Sequence, residues 1–299
     1  MKRYYSVSDY CRDAYGEKLY KLSLSTGFTC PNRDGTTGTG GCAFCTGAGE
    51  FSADAALDAF AQIEQAKARV ADKFRGDGYI AYFGSGTNTY GDLGRMERLF
   101  RDAAAHPQIR VLSVATRPDC LPDEVLTLLA SLRAVKPLWV ELGLQTADDR
   151  VADSFGRGYG LDAYERAVSS LRQVGAHIIT HVIFGLPGES RGGMLDTVRY
   201  VADRTDGVKL HCLYVCRGTA LEREWRAGRF DCLERDAYID LLGDALELLK
   251  PQTVVHRLTG DGDKRTLLAP MWTADKKAVL AAIERRFRER DVVQGRCYG

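Results

Sequence analysis

Short apolar-rich runs alternate with longer stretches of helical periodicity from Tyr20 to about Lys250. Six runs predict strands over residues 20–25, 79–83, 111–115, 139–144, 177–184 and 208–215. A seventh lies at 253–256, and a helix is predicted over 274–290. Between the strands run amphipathic stretches, such as Leu57, Phe60, Ile63, Val70 and Phe74 at helical spacing. Repeated strand–helix units imply a parallel sheet with right-handed crossovers, either a barrel or an open doubly wound sheet.

The strand pattern favours a barrel with an unusual lumen. Fully buried parallel strands read as continuous apolar runs, whereas these alternate. Lys21, Ser23 and Ser25 share one face of the first strand, with Leu22 and Leu24 on the other. Ser113, Glu141, His177, His181, Lys209 and His211 hold the matching position in later strands. Helices must cover the apolar face, so the polar set points inward. An ordinary eight-stranded barrel fills its interior with branched aliphatics; a polar interior predicts an incomplete or wider barrel that holds a polar ligand. The expectation is an α/β chain built as a partial TIM-type (β/α)6 barrel over residues 20–250. Residues 1–19 would form an N-terminal extension, and residues 251–299 a C-terminal extension closing the barrel.

Composition changes this picture little. The 299 residues are 45% hydrophobic, enough for one large core, and the net charge of +1 creates no global field toward nucleic acid. The start Met-Lys-Arg-Tyr-Tyr-Ser has no apolar run of a signal peptide and no segment reaches transmembrane length, so no membrane association is expected. Nine cysteines with no pairing pattern fit a reducing cytoplasm. Basic residues gather late, at Lys276-Lys277 and from Arg285 to Arg290. They read as a solvated helix face or as a phosphate-contacting surface.

Three cysteines carry the chemistry. Cys30, Cys42 and Cys45 lie in one glycine-rich loop, eleven residues separating the first two and two the last pair. Three thiolates can hold three irons of a [4Fe–4S] cube and leave the fourth iron open. Zinc usually wants two close ligand pairs, and only Cys42 and Cys45 form one; unliganded thiols are the third reading. Other motifs follow the strands: Gly84-Ser-Gly-Thr-Asn-Thr-Tyr90, Thr116-Arg-Pro-Asp119, Gln145-Thr146 and Gly185-Leu-Pro-Gly-Glu189. Carboxyl ends of strands form the active face of such folds, so these loops converge on the cysteines.

Together the segments resemble the radical S-adenosylmethionine (SAM) superfamily. Cys42-Ala-Phe-Cys45 has that family's aromatic before the last ligand, while the eleven-residue spacing departs from its commonest three. Ala115–Cys120, Glu141–Thr146, Gly156-Arg-Gly-Tyr159 and Phe184–Glu189 resemble the branch of the Elongator catalytic subunit, a tRNA wobble-uridine modifier. Asn32–Gly35, Thr87–Tyr90 and His256–Asp261 resemble more narrowly a bacterial YhcC- or YtqA-like group. The resemblance implies a [4Fe–4S] cluster on Cys30, Cys42 and Cys45, with SAM chelated at the open iron. One electron from reduced flavodoxin or ferredoxin would then yield a 5′-deoxyadenosyl radical that abstracts hydrogen from substrate. It implies SAM contacts from Gly84, Ser85 and Gly86, although the family's glutamate is missing there. Gln145 would meet the ribose, Arg157 the methionyl carboxylate, and Ile183 with Gly185 the adenine.

Substrate contacts are expected from Asn88, Arg117, His181, Lys209, His211 and His256; for His181, Lys209 and His211, as for His177, hydrogen-bonded interior side chains are an equal reading. Cys212 and Cys216 read as small core residues. His256, Arg257, Asp261, Lys264 and Arg265 form a polar stretch able to cover the lumen or to serve as an ordinary charged loop. The favoured substrate is the wobble uridine side chain of tRNA. A small metabolite or peptide is the second reading, and a non-catalytic metal-stabilised RNA-binding protein the third.

Overall fold

The structure, a computed structural model, describes residues 2–47, 52–260 and 262–299. In chain order it contains α1 (Val7–Tyr15), β1 (Tyr20–Leu24), α2 (Ala59–Val70), β2 (Tyr79–Phe83), α3 (Leu93–Ala105), β3 (Ile109–Thr116), α4 (Asp123–Arg133) and β4 (Leu138–Gln145). There follow α5 (Asp149–Ser154), α6 (Leu161–Val174), β5 (His177–Phe184), α7 (Arg191–Ala202), β6 (Gly207–Cys212), β7 (Val215–Cys216), α8 (Ala220–Arg226) and α9 (Arg235–Leu248). Last come β8 (Val254–Arg257), β9 (Leu267–Ala269) and α10 (Lys276–Glu289).

Seven strands form one parallel sheet in the order β1-β2-β3-β4-β5-β6-β8, joined by six helical crossovers. Spatial order follows chain order, as consecutive right-handed β/α units require. This is the expected partial barrel, with β8 supplying a seventh strand at its edge. Leu22, Leu24, Phe83, Val114, Val140, Leu142, Ile178 and Leu210 pack beneath the helices in the main core. The alternate positions face the lumen, as the polar face of the pattern predicts.

The amino-terminal end of the barrel is stoppered by α1. Its Cys11 is buried with Leu19, Ile80, Val111, Trp139 and Ile179, and Tyr10 packs on this group. Ser6 caps the helix by accepting from Asp9 N, and Gly16 ends it in the left-handed region. Just before the helix, Tyr5 O accepts from Val255 N at 2.8 Å, tying the N-terminal segment to β8.

Two local expectations fail for physical reasons. The strand over 208–215 stops at Cys212, because Leu213 N turns to Phe184 O (2.9 Å) and Val215–Cys216 pairs antiparallel with β9. Cys212 therefore joins the main core while Cys216 is buried in the small antiparallel strand pair. In α2 the buried stripe is Ala59, Gln62, Ile63 and Ala66, and Phe60 is 46% exposed against His106. Small residues let the helix lie close to β1, where Gln62 Oε1 accepts from Ser25 N at 2.8 Å.

Candidate active site

The expected motifs do meet at the carboxyl ends of the strands. Cys30, Cys42 and Cys45 sit in the loop after β1, all as free thiols, with Cys42 within electrostatic reach of the other two. The loop is tightly turned: Arg33 N donates to Cys30 O and Cys45 N to Cys42 O, both at 2.8 Å. Arg33 Nη2 donates to Cys45 O (2.8 Å), and Ala43 N donates to Phe155 O (2.8 Å). Among the described residues no group of His, Cys, Asp or Glu is drawn together as for a single metal ion. Three thiols in one loop without a fourth suit a cube held at three corners better than zinc. The donor set therefore fits a [4Fe–4S] cluster with an open iron.

Beside this loop the lumen widens into a cavity of about 180 Å³, lined by Phe44, Gln145, His181, Ile183, His211 and Tyr214. Gln145 stands at the end of β4 with φ 66°, a left-handed conformation rare for a side-chain-bearing residue, and the β4–β5 register slips there. Such strain persists only where surrounding structure imposes it, and it marks functional positions. Its amide lies over Gly143, where an added Cβ would come within 2.7 Å of Nε2. A larger groove, about 1140 Å³, runs along the outer flank from Phe28 to Leu93, Asp119, Asp123 and Glu124. It is acidic and lacks the lumen residues, so the smaller cavity is the candidate reaction site.

Below the cavity lies a polar network centred on Glu141, whose side chain is completely buried. One carboxylate oxygen accepts from Lys21 (2.8 Å) and Ser113 (3.0 Å); the other meets His181 (2.8 Å) and Lys209. Lys209 also reaches Tyr82 Oη at 3.0 Å. Burial would raise the Glu141 carboxyl, but Lys209, Lys21 and His181 outweigh it and hold the group well below the usual carboxylate range. Burial pushes the Lys209 ammonium down to about 7 against the pull of Glu141, and pushes His181 down to about 4. At neutral pH the lumen thus presents an ionised carboxylate, neutral imidazoles and an amine near its balance point.

Of the expected substrate residues, His181, Lys209 and His211 come together, the two imidazoles 5.5 Å apart. The other three do not join them. Asn88 is fully buried and braces strand ends, donating to Phe83 O and Ala115 O and accepting from Thr26, each at 2.9 Å. Arg117 is spent on Asp119 and Arg157 O. His256 sits at the barrel floor against Trp139 (5.1 Å) and His177, beside the group that α1 covers. Arg157 also departs from expectation. Its guanidinium is 1% exposed and donates to Leu144 O, Thr146 O and Tyr159 O while pairing with Asp149 at 2.5 Å. It fastens the strand end and leaves no open fork for a carboxylate.

The remaining residues expected to contact SAM lie in the loops after the strands. Thr87 N donates to Thr29 O (3.3 Å), bringing Gly84–Gly86 to the cysteine loop, and Gly185 N contacts Met194 Sδ. The late basic run is partly paired: Arg286 and Arg290 pair with Asp240, Arg290 also with Asp244, and Arg285 with Glu289, while Lys277 and Arg288 are exposed without an ion pair among the described residues. In the polar stretch, residues 254–257 form β8 and Lys264 and Arg265 are exposed beside β9, whereas Asp261 lies outside the described residues. The sequence reading left Lys21, Tyr82, Glu141 and Glu189 off the site. Lumen-face alternation marked Lys21 and Glu141, but nothing in spacing reveals that four donors converge on one carboxylate.

Residues 28–201 match the model of the radical SAM superfamily, and residues 205–289 that of the radical SAM C-terminal domain. The chain belongs to the radical SAM superfamily. Its cofactors are accordingly a [4Fe–4S] cluster and SAM. This radical SAM enzyme is 39% identical over 300 residues to the uncharacterized protein YtqA of Bacillus subtilis, covering 99% of this chain and 93% of that one. It is 27% identical over 192 residues to the tRNA uridine(34) acetyltransferase of Dehalococcoides mccartyi, covering 63% of this chain and 41% of that one. Its fold is that of the archaeal Methanocaldococcus infernus Elp3 with an N-terminal deletion, with a TM-score of 0.70 at 16% identity over 92% of this chain and 64% of that one. Among the described residues no helix is long and apolar enough to cross a membrane.

Proposed function

We propose that this radical SAM enzyme alters the side chain of the wobble uridine of tRNA, taking its electron from reduced flavodoxin or ferredoxin in the cytoplasm. Cys30, Cys42 and Cys45 hold the cluster, and Gly84, Ser85, Gly86, Gln145, Ile183 and Gly185 line the SAM site. When bound, these cofactors supply a 5′-deoxyadenosyl radical for hydrogen abstraction. The chain positions the reacting groups and excludes water. Phe44 and Ile183 border the cavity, while His181 and His211 present polar groups to the substrate and Lys209 lies behind them on Glu141.

The observation carrying the RNA reading is a group of exposed cations joined through α8 to the cysteine loop. Arg217, Arg223 and Lys264 are exposed and enter no ion pair among the described residues. They belong to α8 and the hairpin beside it, where Arg217 N donates to Thr266 O at 2.8 Å. Leu221 N of the same helix donates to Ala43 O in the cysteine loop at 2.9 Å. Cations next to the reaction site suit phosphate contacts that position a polynucleotide. The relation to a tRNA uridine(34) acetyltransferase over part of its length points the same way.

Mass spectrometry of tRNA nucleosides from cells lacking the protein tests the substrate. Loss of a wobble-uridine modification, restored by the native chain and not by Cys30→Ala, is expected. An unchanged profile refutes it, and SAM cleavage that then proceeds on a small molecule without tRNA would establish the metabolite reading.

A further inference from the structure

Asn32 has no role in the site as described, yet it is 3% exposed and stands two residues after the first cluster cysteine. Its side-chain Nδ2 lies 2.6 Å from Gly156 O, 3.0 Å from Arg157 O and 3.4 Å from Cys42 Sγ. Its own carbonyl accepts from Gly41 N at 2.7 Å, fixing the residue just before Cys42. The side-chain oxygen lies where a Cβ on Gly158 would come within 2.7 Å, and Gly158 itself has φ 79°. One amide thus joins the cysteine loop to the turn after α5 and aims a donor at a ligand sulfur.

We infer that Asn32 is a positioning residue for the cluster, sharing an N–H between a backbone carbonyl and the Cys42 thiolate and thereby making the bound cluster easier to reduce. A reduced cluster carries one more negative charge, part of it on its sulfur ligands. A donor aimed at such a sulfur stabilises the reduced form more than the oxidised one. Burial excludes water as a competing donor and lowers the local dielectric, which strengthens the contact. The two carbonyls of Gly156 and Arg157 hold the amide with its NH2 toward Cys42, since the opposite flip would set oxygen against three acceptors. An aspartate has the same shape and fails on both counts: it loses the donors and places a charge against two carbonyls and a thiolate.

The inference rests on the cluster reading of the loop. It is tested on the anaerobically reconstituted holoenzyme by redox titration followed by electron paramagnetic resonance. Asn32→Leu and Asn32→Asp are expected to lower the ratio of reduced to oxidised cluster about tenfold at fixed potential, or about 59 mV for one electron. Loss of iron to a chelator should also quicken about tenfold. A merely structural tie would speed iron loss while leaving unchanged the potential of the clusters that remain, and that result overturns the inference. The native holoenzyme labelled with ¹⁵N-asparagine gives a test that needs no variant. Hyperfine coupling from an asparagine nitrogen in the reduced cluster is expected, and its absence overturns the inference. A native protein with no [4Fe–4S] signal would instead refute the cluster reading itself.

Discussion

Replacing Glu141 by glutamine keeps the shape of the lumen's central side chain and removes its charge. The amide oxygen can retain Lys21 and Ser113, which lie 2.8 and 3.0 Å from one carboxylate oxygen. The new NH2 then faces His181 and Lys209. A neutral His181 can accept an N–H, so the mismatch falls on Lys209, whose side chain is 5% exposed. Removing one member of a buried ion pair costs roughly 3–5 kcal/mol. The expected loss is at the low end, about 3 kcal/mol near pH 7, because Lys209 can shed its proton once the pull of Glu141 is gone.

The pH dependence follows from the direction of the lysine shift. Its folded value, about 7, lies below its ordinary value of 10.5. The penalty for the buried ammonium is therefore fully present below the folded value and is relieved as pH rises toward the ordinary one. Without Glu141 the lysine loses its proton at lower pH than in the native chain, so the gap between native and Glu141→Gln proteins should narrow as pH rises toward about 7 and stay constant above it. Urea unfolding at matched cluster content measures the gap. Glu141→Gln with Lys209→Met should recover much of the loss, since replacing both partners removes the stranded charge. A Glu141→Gln protein within about 0.5 kcal/mol of native at pH 6, or a loss independent of pH, would refute the reasoning.

Two further outcomes follow from the site. Gly143→Ala puts a methyl 2.7 Å from Gln145 Nε2, the far end of a flexible side chain. Stability should change by less than about 1 kcal/mol, while the SAM dissociation constant by equilibrium dialysis rises about tenfold; unchanged affinity would remove Gln145 from the ribose contact. Glu189 is raised to about 7, chiefly by burial, with Thr146 opposing and Asp148 assisting. Its stabilising contribution is fully present below the ordinary value of 4.5 and lost as pH rises through about 7. Glu189→Gln should flatten the native stability slope between about pH 5 and about pH 8, and an unaltered slope in urea titrations would count against the buried carboxyl.

Much of the architecture was legible because it rests on local periodicity. The strands 79–83 and 177–184 coincide with β2 and β5, and the inward polar face appears where alternation put it. The strand beyond Cys212 was misread because its termination depends on a hairpin partner at Leu267–Ala269, fifty residues away and without a pattern of its own. Phe60 was misread because hydrophobic spacing reports which side chains could be buried, not which neighbours leave room.

The candidate site divides along the same line. Three cysteines in one loop, and motifs at consecutive strand ends, are carried by the chain itself and needed no coordinates. Saturation is not. Asn88, Arg117 and Arg157 carry the right groups in the right loops, yet each is consumed by backbone carbonyls or a neighbouring carboxylate. Arg286 and Arg290 look like a phosphate surface until Asp240 and Asp244 of another helix are placed against them.

What the order of residues determined by itself was the strand–helix alternation, the polar interior and the three-thiol loop, because each follows from spacing within one segment. Only the tertiary structure decided which polar groups remain available for chemistry. Hydrogen-bond capacity is spent between segments far apart in the chain, and the spending is invisible until they meet.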